Sequence, residues 1–411
     1  MPLAVVAVFM VVAVVSILAD QRVIALWGLG SAVAPVIGPK ASVQVLQTIA
    51  SGVVTVTSIT FSMLLVAVQQ TASNLSPVVF DQFIRRKGNQ LLLGFFVGLS
   101  LFAYVVMATA QNKTPPIIGA FVATLMTVIA LLLLVVLIYT AVNQMRPTSV
   151  LRQIHDRALR ARGREAELIR RTRREEQQSH NPVLATYSAD TNGYVVKISL
   201  RALAQALDKV PRAEIRLFVT LGDYVAYGDK IATVRDDDER DARSLERALR
   251  AAVVIGRQRN LEEDATTAVD ELGNIAWSSA SSARHSPEVA RQGLHELRDL
   301  ADRWLRDDQD PASSPALASD AMAVVYPDND LERVLDVIYS LLAVAGESNQ
   351  YMTAARVLGA YDALLPIANP RFRQRIERDL AMAESLLENL PPSPMLNEAR
   401  RRIASRDRCS E

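Results

Sequence analysis

Thr48, Ser51, Thr55, Ser58, Ser62, Gln69 and Ser73 follow one another at spacings of 3, 4, 3, 4, 7 and 4. Those intervals put the seven hydroxyl and amide side chains on one face of an α-helix. Phe61, Leu64, Leu65 and Val68 fill its apolar sides, and Thr57 and Thr60 lie off the stripe. Such groups on an apolar helix have two uses. They can hydrogen-bond to a neighbouring helix, where small residues also allow close approach. They can instead line a wet path formed by several subunits. No acid or base lies within this stretch, which argues against a proton relay or a binding centre for a charged substrate.

Arg85, Arg86 and Lys87 form the second chemical cluster. Three bases in a short turn are a topology signal and attract anionic lipid headgroups. A cytoplasmic vestibule is the alternative use. Asp81 pairs with Arg85 at i,i+4 if the turn is helical, and Pro77 suits a first helical turn capped by Ser76.

The elements that must position these residues follow from charge. From Met1 to Met145 there are two acids, Asp20 and Asp81, and six bases, Arg22, Lys40, Arg85, Arg86, Lys87 and Lys113. The other charges lie later, so a net charge of +1 over 411 residues hides a membrane part and a soluble part. Four apolar segments can span, roughly Leu3–Ala19, Val43–Val68, Leu91–Ala110 and Ile117–Val142. The first is the shortest. No basic n-region precedes it and no small-residue cleavage site follows, so a cleaved signal peptide is not expected. The basic residues between spans two and three, and the arginines from Arg146 to Arg174, place that loop and everything after Met145 in the cytoplasm. Both termini then face inward. The only cysteine, Cys409, excludes an intrachain disulfide and fits a reducing compartment.

Phe61, Ser62, Val66, Ala67, Pro77, Phe83, Gln90, Gly94, Phe96, Phe102 and Tyr104 carry a resemblance. With Gly193-Tyr194-Val195, Gly222-Asp223-Tyr224-Val225, Gly228, Asp264, Leu272, Ile275 and Ala276, the chain from about Val43 to Ala283 resembles a bacterial family of predicted membrane proteins, domain of unknown function 2254. The resemblance implies a bacterial inner-membrane protein with a cytoplasmic domain and brings no activity. The chain departs from the family pattern at Val78, where arginine is common. It departs again at SARHSPEVA, where the family carries Asn-Asp-Pro.

After the membrane part, Val150–Gln178 reads as a basic helix continuing from span four and lying beside phosphate headgroups. It has no interleaved aromatic residues, so nucleic acid is not expected as a partner. Strands at Gly193–Leu200, Ala213–Val219 and Lys230–Arg235, with a short helix at Leu203–Val210, read as a small structural barrel resembling biotinyl/lipoyl-like carriers. Lys230 lacks the context of a modified lysine. Asp236–Asp241 reads as a solvated helix start, and it lacks calcium-loop spacing. Helices follow near 241–260, 262–283 and 287–306, with Trp277 and Trp304 expected to be buried. DDQDPASS opens a linker, and helices near 330–346, 349–365, 370–390 and 394–406 form antiparallel pairs.

The expected fold is an α-helical membrane protein of four transmembrane helices with an α+β cytoplasmic region, a small β-barrel-like module followed by a helical bundle. The expected divisions are 1–145, 146–180, 181–236, 237–306, 307–329 and 330–411. Phosphate-loop, zinc and nucleophile-elbow motifs are absent from the sequence, and His155, His180, His285 and His295 have no ligand spacing. An enzyme is therefore the least supported class, and no cofactor is expected. The leading expectation is a homo-oligomeric channel or transport path lined by the stripe, in contact with membrane lipids. The alternative is a membrane-anchored scaffold or sensor that binds a cytosolic protein.

Overall fold

The computed structural model describes residues 1–26, 39–74, 87–109, 116–144, 146–174, 176, 181–209, 212–236, 242–260, 263–281, 287–309, 321–388 and 390–410. The chain divides into two compact units, Met1–Ser149 and Val150–Glu411.

The first unit holds α1 (Pro2–Leu26), α2 (Pro39–Asn74), α3 (Lys87–Thr109) and α4 (Ile117–Gln144). All four are long and apolar enough to cross a membrane. α3 is the central helix: 44% of its span is buried, against 17% for each of the others. Small residues allow this packing. A Cβ on Gly94 would lie 2.9 Å from the Pro2 carbonyl oxygen, and one on Gly98 would lie 2.5 Å from Phe9 Cδ2. Pro2 beside Gly94 and Phe9 beside Gly98 make α1 and α3 parallel. Asp20 meets the start of α4, so α4 runs the other way. Phe9, Leu46, Phe96, Leu99, Phe102 and Val106 form the core with Ala13, Ala50, Ala103, Ala120 and Ala123. α2 has 36 residues, about 54 Å at 1.5 Å per residue. That exceeds the ~30 Å hydrocarbon core of a bilayer.

The second unit opens with α5 (Pro147–Arg171). α4 ends at Gln144 and α5 begins at Pro147, and the expected continuation of span four through Met145 lies outside the described residues. Proline is suited to begin a helix. α5 is not a bare surface helix. Val150, Leu151, Ile154, Ala158, Ala161, Leu168 and Ile169 are buried, and Arg157, Arg162, Arg173 and Arg174 reach Glu271, Asp328, Glu214 and Asp308. The headgroup role expected for these four arginines is thereby corrected.

Next come β1 (Val183–Ser188), β2 (Gly193–Ile198), α6 (Leu200–Lys209), β3 (Glu214–Leu217), β4 (Tyr224–Val225), β5 (Lys230–Arg235), α7 (Ala242–Ala252) and β6 (Val253–Gly256). α8 (Ala265–Ala280) and α9 (Pro287–Gln309) follow, then β7 (Val324–Val325). The strands make two open sheets, ordered β1-β5-β3-β7 and β4-β2-β6. No closed barrel forms among the described residues. The module also extends beyond 181–236, because β6 and β7 join from outside it. Val253–Gly256 was expected to be helical; instead it pairs antiparallel with β2. The segment 307–329 is not all linker, since β7 pairs parallel with β3 and Arg173 extends that edge.

Four further helices complete the unit, α10 (Asp330–Glu347), α11 (Tyr351–Leu364), α12 (Pro370–Glu388) and α13 (Pro394–Ser410). α10 packs on α8, α9, α11 and α12, and α11 packs on α9 and α13. Leu331, Val334, Leu335, Ile338, Leu341 and Leu342 are buried along α10, as their 3–4 spacing requires. Trp304 is buried, whereas Trp277 is 49% exposed.

Candidate functional site

The polar stripe and the packed face of α2 lie on opposite sides. Ser42, Leu46, Ala50 and Val53 are buried against the bundle. At about 100° per residue the stripe is centred roughly half a turn away. Thr48, Ser51, Thr55, Ser58, Ser62 and Gln69 are all exposed on the single chain. Three hydroxyls donate to their own helix: Thr48 to the Gln44 carbonyl at 2.9 Å, Ser51 to Gln47 at 2.9 Å, and Thr55 to Ser51 at 2.8 Å. Back-bonding satisfies the hydroxyl hydrogen and leaves oxygen lone pairs facing outward. Ser73 lies in the last turn of α2, and its side chain is outside the described set. Arg85 and Arg86 fall among residues 75–86, also outside it, together with the proposed Asp81 pair and the Ser76 cap. Lys87 begins α3 and is exposed.

One flank of the stripe is concave. Thr48, Ile49, Gly52, Val53 and Val56 of α2 face Thr127, Ala130, Leu131 and Leu134 of α4 across a groove of about 250 Å³. A Cβ on Gly52 would meet nothing within 4 Å. The other flank carries exposed Val54, Phe61 and Leu65.

Sequence reasoning missed Asp20. It is 4% exposed and caps α4 from 98 residues away. The Ile118 and Gly119 N–H groups donate to its two oxygens at 2.9 and 3.1 Å. A carboxylate at a helix N-terminus is stabilised by the orphan N–H groups and the helix dipole. Asp20→Ala is expected to lower the stability of the detergent-solubilised protein by about 1–2 kcal/mol, with Asp20→Asn costing less. Thermal unfolding of the two variants side by side checks this.

The second unit contains a buried polar cluster, also missed. Arg162 of α5 makes a two-pronged contact with Asp328, 2.6 and 2.7 Å, and reaches Asp330 at 3.0 Å. Arg162 also lies 5.4 Å from the centroid of the Trp304 ring. Arg174 lies 3.8 Å from Asp328 and pairs with Asp308. One turn along α5, Glu165 accepts the Tyr326 hydroxyl hydrogen, and the Tyr326 oxygen accepts the Leu221 N–H at 3.3 Å. Burial opposes the charge on Arg162, but Asp328 and Asp330 outweigh it and raise its pKa. Burial also disfavours the Asp328 charge, yet Arg162 holds its pKa below the usual carboxylate value. Burial, with Asp328 and Asp264 adding repulsion, raises Asp330 to about 6 despite Arg162. Burial and the Asp330 charge push Glu165 well above the ordinary value, and Arg162 and the Tyr326 hydrogen bond only partly offset them.

Asp264, one of the residues behind the family resemblance, borders this cluster. It caps α8, accepting from the Thr267 N–H at 2.9 Å and the Thr266 hydroxyl at 2.6 Å. Gly222, another such residue, lies directly under its carboxylate with φ +86. Among the described residues no group of three or more His, Cys, Asp or Glu is arranged to hold a metal ion. Residues 1–362 match the family described as predicted membrane protein (DUF2254). No curated protein and no solved structure matches the chain.

Proposed function

The chain belongs to the DUF2254 family of predicted membrane proteins, and on that premise we propose that it forms a homo-oligomeric inner-membrane channel or transport path. The observation that carries the reading is the position of the stripe, opposite the face that α2 buries in its own bundle. Packing within one chain does not account for it. Against lipid, six outward polar side chains gain nothing; against water or other copies they do. Four helices per chain are too few to enclose a path, so several chains surround it. The stripe faces the axis. The exposed apolar side at Val54 and Phe61 of one copy then meets the Gly52 groove of the next, a heterologous contact that closes into a ring. Positive charge at Lys87, in line with Arg85 and Arg86, sets the ends of α1 and α3 that carry Pro2 and Lys87 in the cytoplasm. The second unit lies there too, as an assembly and gating domain without catalytic activity.

The test is native mass spectrometry of the detergent-purified protein, followed by flux measurements in liposomes. Ser62→Leu is expected to leave the ring intact and to change conductance at least severalfold. A monomer, or a ring without flux of any tested ion under voltage, tension or osmotic shock, removes the proposal.

The second reading is a membrane-anchored scaffold for a cytosolic protein. Exposed aromatic residues on the β layer favour it. Tyr224 and Tyr227 are 55% and 80% exposed. Nearby, Arg216 and Lys230 lie 4.9 and 5.3 Å from the Phe218 ring centroid. In a scaffold, Ser62→Leu changes assembly or stability and there is no conductance to alter.

A further inference from the structure

We propose that Glu165, Tyr326, Asp330 and Arg162 form a proton-binding latch that joins the β layer to the helices of the second unit. The argument begins with a charge count. Glu165 and Asp330 are buried and Asp328 is nearly so, around one guanidinium whose side chain is 14% exposed. Arg162 makes three hydrogen bonds, two to the two oxygens of Asp328 and one to Asp330. Arg174 serves Asp328 and Asp308. Glu165 has for direct partner a neutral phenol, Tyr326. A buried carboxylate without a cation of its own is costly, and taking up a proton removes the cost.

Every element around Glu165 contributes to the balance. Its own helix supplies Arg162. The stretch after β7 supplies Tyr326 and Asp328, and the first residue of α10 supplies Asp330. Asp264, at the N-cap of α8, adds its field to Asp330. The net effect is repulsive for a charged Glu165, in line with the upward direction of its pKa.

The protonated carboxyl holds a joint. Tyr326 links α5 through Glu165 to the turn before β4 through the Leu221 N–H. The Tyr326 N–H donates to the Arg173 carbonyl at 2.9 Å, and the Arg173 N–H to Val324. Loss of the Glu165 proton sets its charge against Asp330 at the head of α10. The sign follows from linkage. A carboxyl whose pKa is raised on folding contributes stability that is full below its unfolded value and lost as pH rises through the folded one. The joint is therefore tight in mild acid and loosens as pH rises. Asp328, held low, limits the opposite side, since its contribution is lost as pH falls below its unfolded value of 3.8.

The test is hydrogen–deuterium exchange of the full chain in detergent between about pH 5 and pH 8, corrected for intrinsic exchange. In the natural sequence, protection in the segments around 162–172, 220–224 and 324–332 is expected to fall about tenfold or more as pH rises. Glu165→Gln, which mimics the protonated group, is expected to keep those segments protected throughout. Asp330→Asn removes the repelling charge and is expected to move the midpoint of the loss to lower pH. Three results would overturn the latch: flat protection in the natural sequence, the same pH dependence in Glu165→Gln, or an unmoved midpoint in Asp330→Asn. The last arm remains informative if Glu165→Gln does not fold.

Discussion

Arg162→Met is expected to destabilise the Val150–Glu411 unit by about 3–5 kcal/mol, the usual cost of removing one partner from a buried ion pair. Asp328 and Asp330 would be left facing each other and Glu165. Arg174, already committed to Asp308, is the only other cation that reaches Asp328 among the described residues. The carboxylates would respond by taking up protons, so the loss should be larger at neutral pH than in mild acid. The packing of the guanidinium beside Trp304 is lost as well. Arg162→Lys is not expected to rescue, because an ammonium cannot make the two-pronged contact with Asp328. Denaturant unfolding followed by limited proteolysis of the full chain in detergent measures the effect. A loss below 1 kcal/mol would mean that the cluster is solvated and that the charge count above is wrong.

The membrane unit was legible because its physics is one-dimensional. A helix in lipid must be apolar over about 20 residues, and the four spans could be located to within a few residues at most ends. The face of α2 could also be read, since a period of 3.6 needs only the sequence. Which way that face points could not. The stripe is compatible with packing inward or outward, and only the burial of Leu46, Ala50 and Val53 decides. The cytoplasm-facing side was inferred from Arg85, Arg86 and Lys87, of which the structure describes Lys87 alone.

Long-range pairing was not legible. β7 is two residues long and sits in a stretch with the composition of a linker, yet it completes a sheet begun more than 100 residues earlier. β6 follows α7 without a turn residue to announce it. The buried ion cluster failed for the same reason. Arg162 and Glu165 sit among eight other Asp, Glu and Arg residues between Arg152 and Arg171, and the density of charge hides those that turn inward. The apolar spacing of Leu151, Ile154, Ala158, Ala161 and Leu168 marks the inward face, and Glu165 lies on it. A charged residue at an apolar position of a helix was the available signal. Gly222 and Asp264 were singled out separately, through the family resemblance, with no indication that they touch.

That contact yields the second large effect. Gly222→Ala is expected to cost about 2–3 kcal/mol. Its φ of +86 is unfavourable for any residue with a Cβ, by about 1–2 kcal/mol. The new Cβ would also lie 2.2 Å from Asp264 Oδ2, so the carboxylate must leave its place at the N-cap of α8, at a further cost of about 1 kcal/mol. The turn cannot move aside easily. Asp223 accepts the Thr220 N–H at 2.7 Å, Tyr326 accepts the Leu221 N–H at 3.3 Å, and Val195 accepts the Gly222 N–H at 2.9 Å. A double-mutant cycle separates the two costs. Asp264→Gly removes the obstructing carboxylate while leaving a tolerated N-cap residue. In that background Gly222→Ala should cost only the backbone part, leaving a coupling of about 1–2 kcal/mol between the two positions. Additive losses would show that Gly222 is required for its backbone angle alone. A coupling of the expected size would show that the turn before β4 and the start of α8 are held together by one carboxylate pressed onto a glycine.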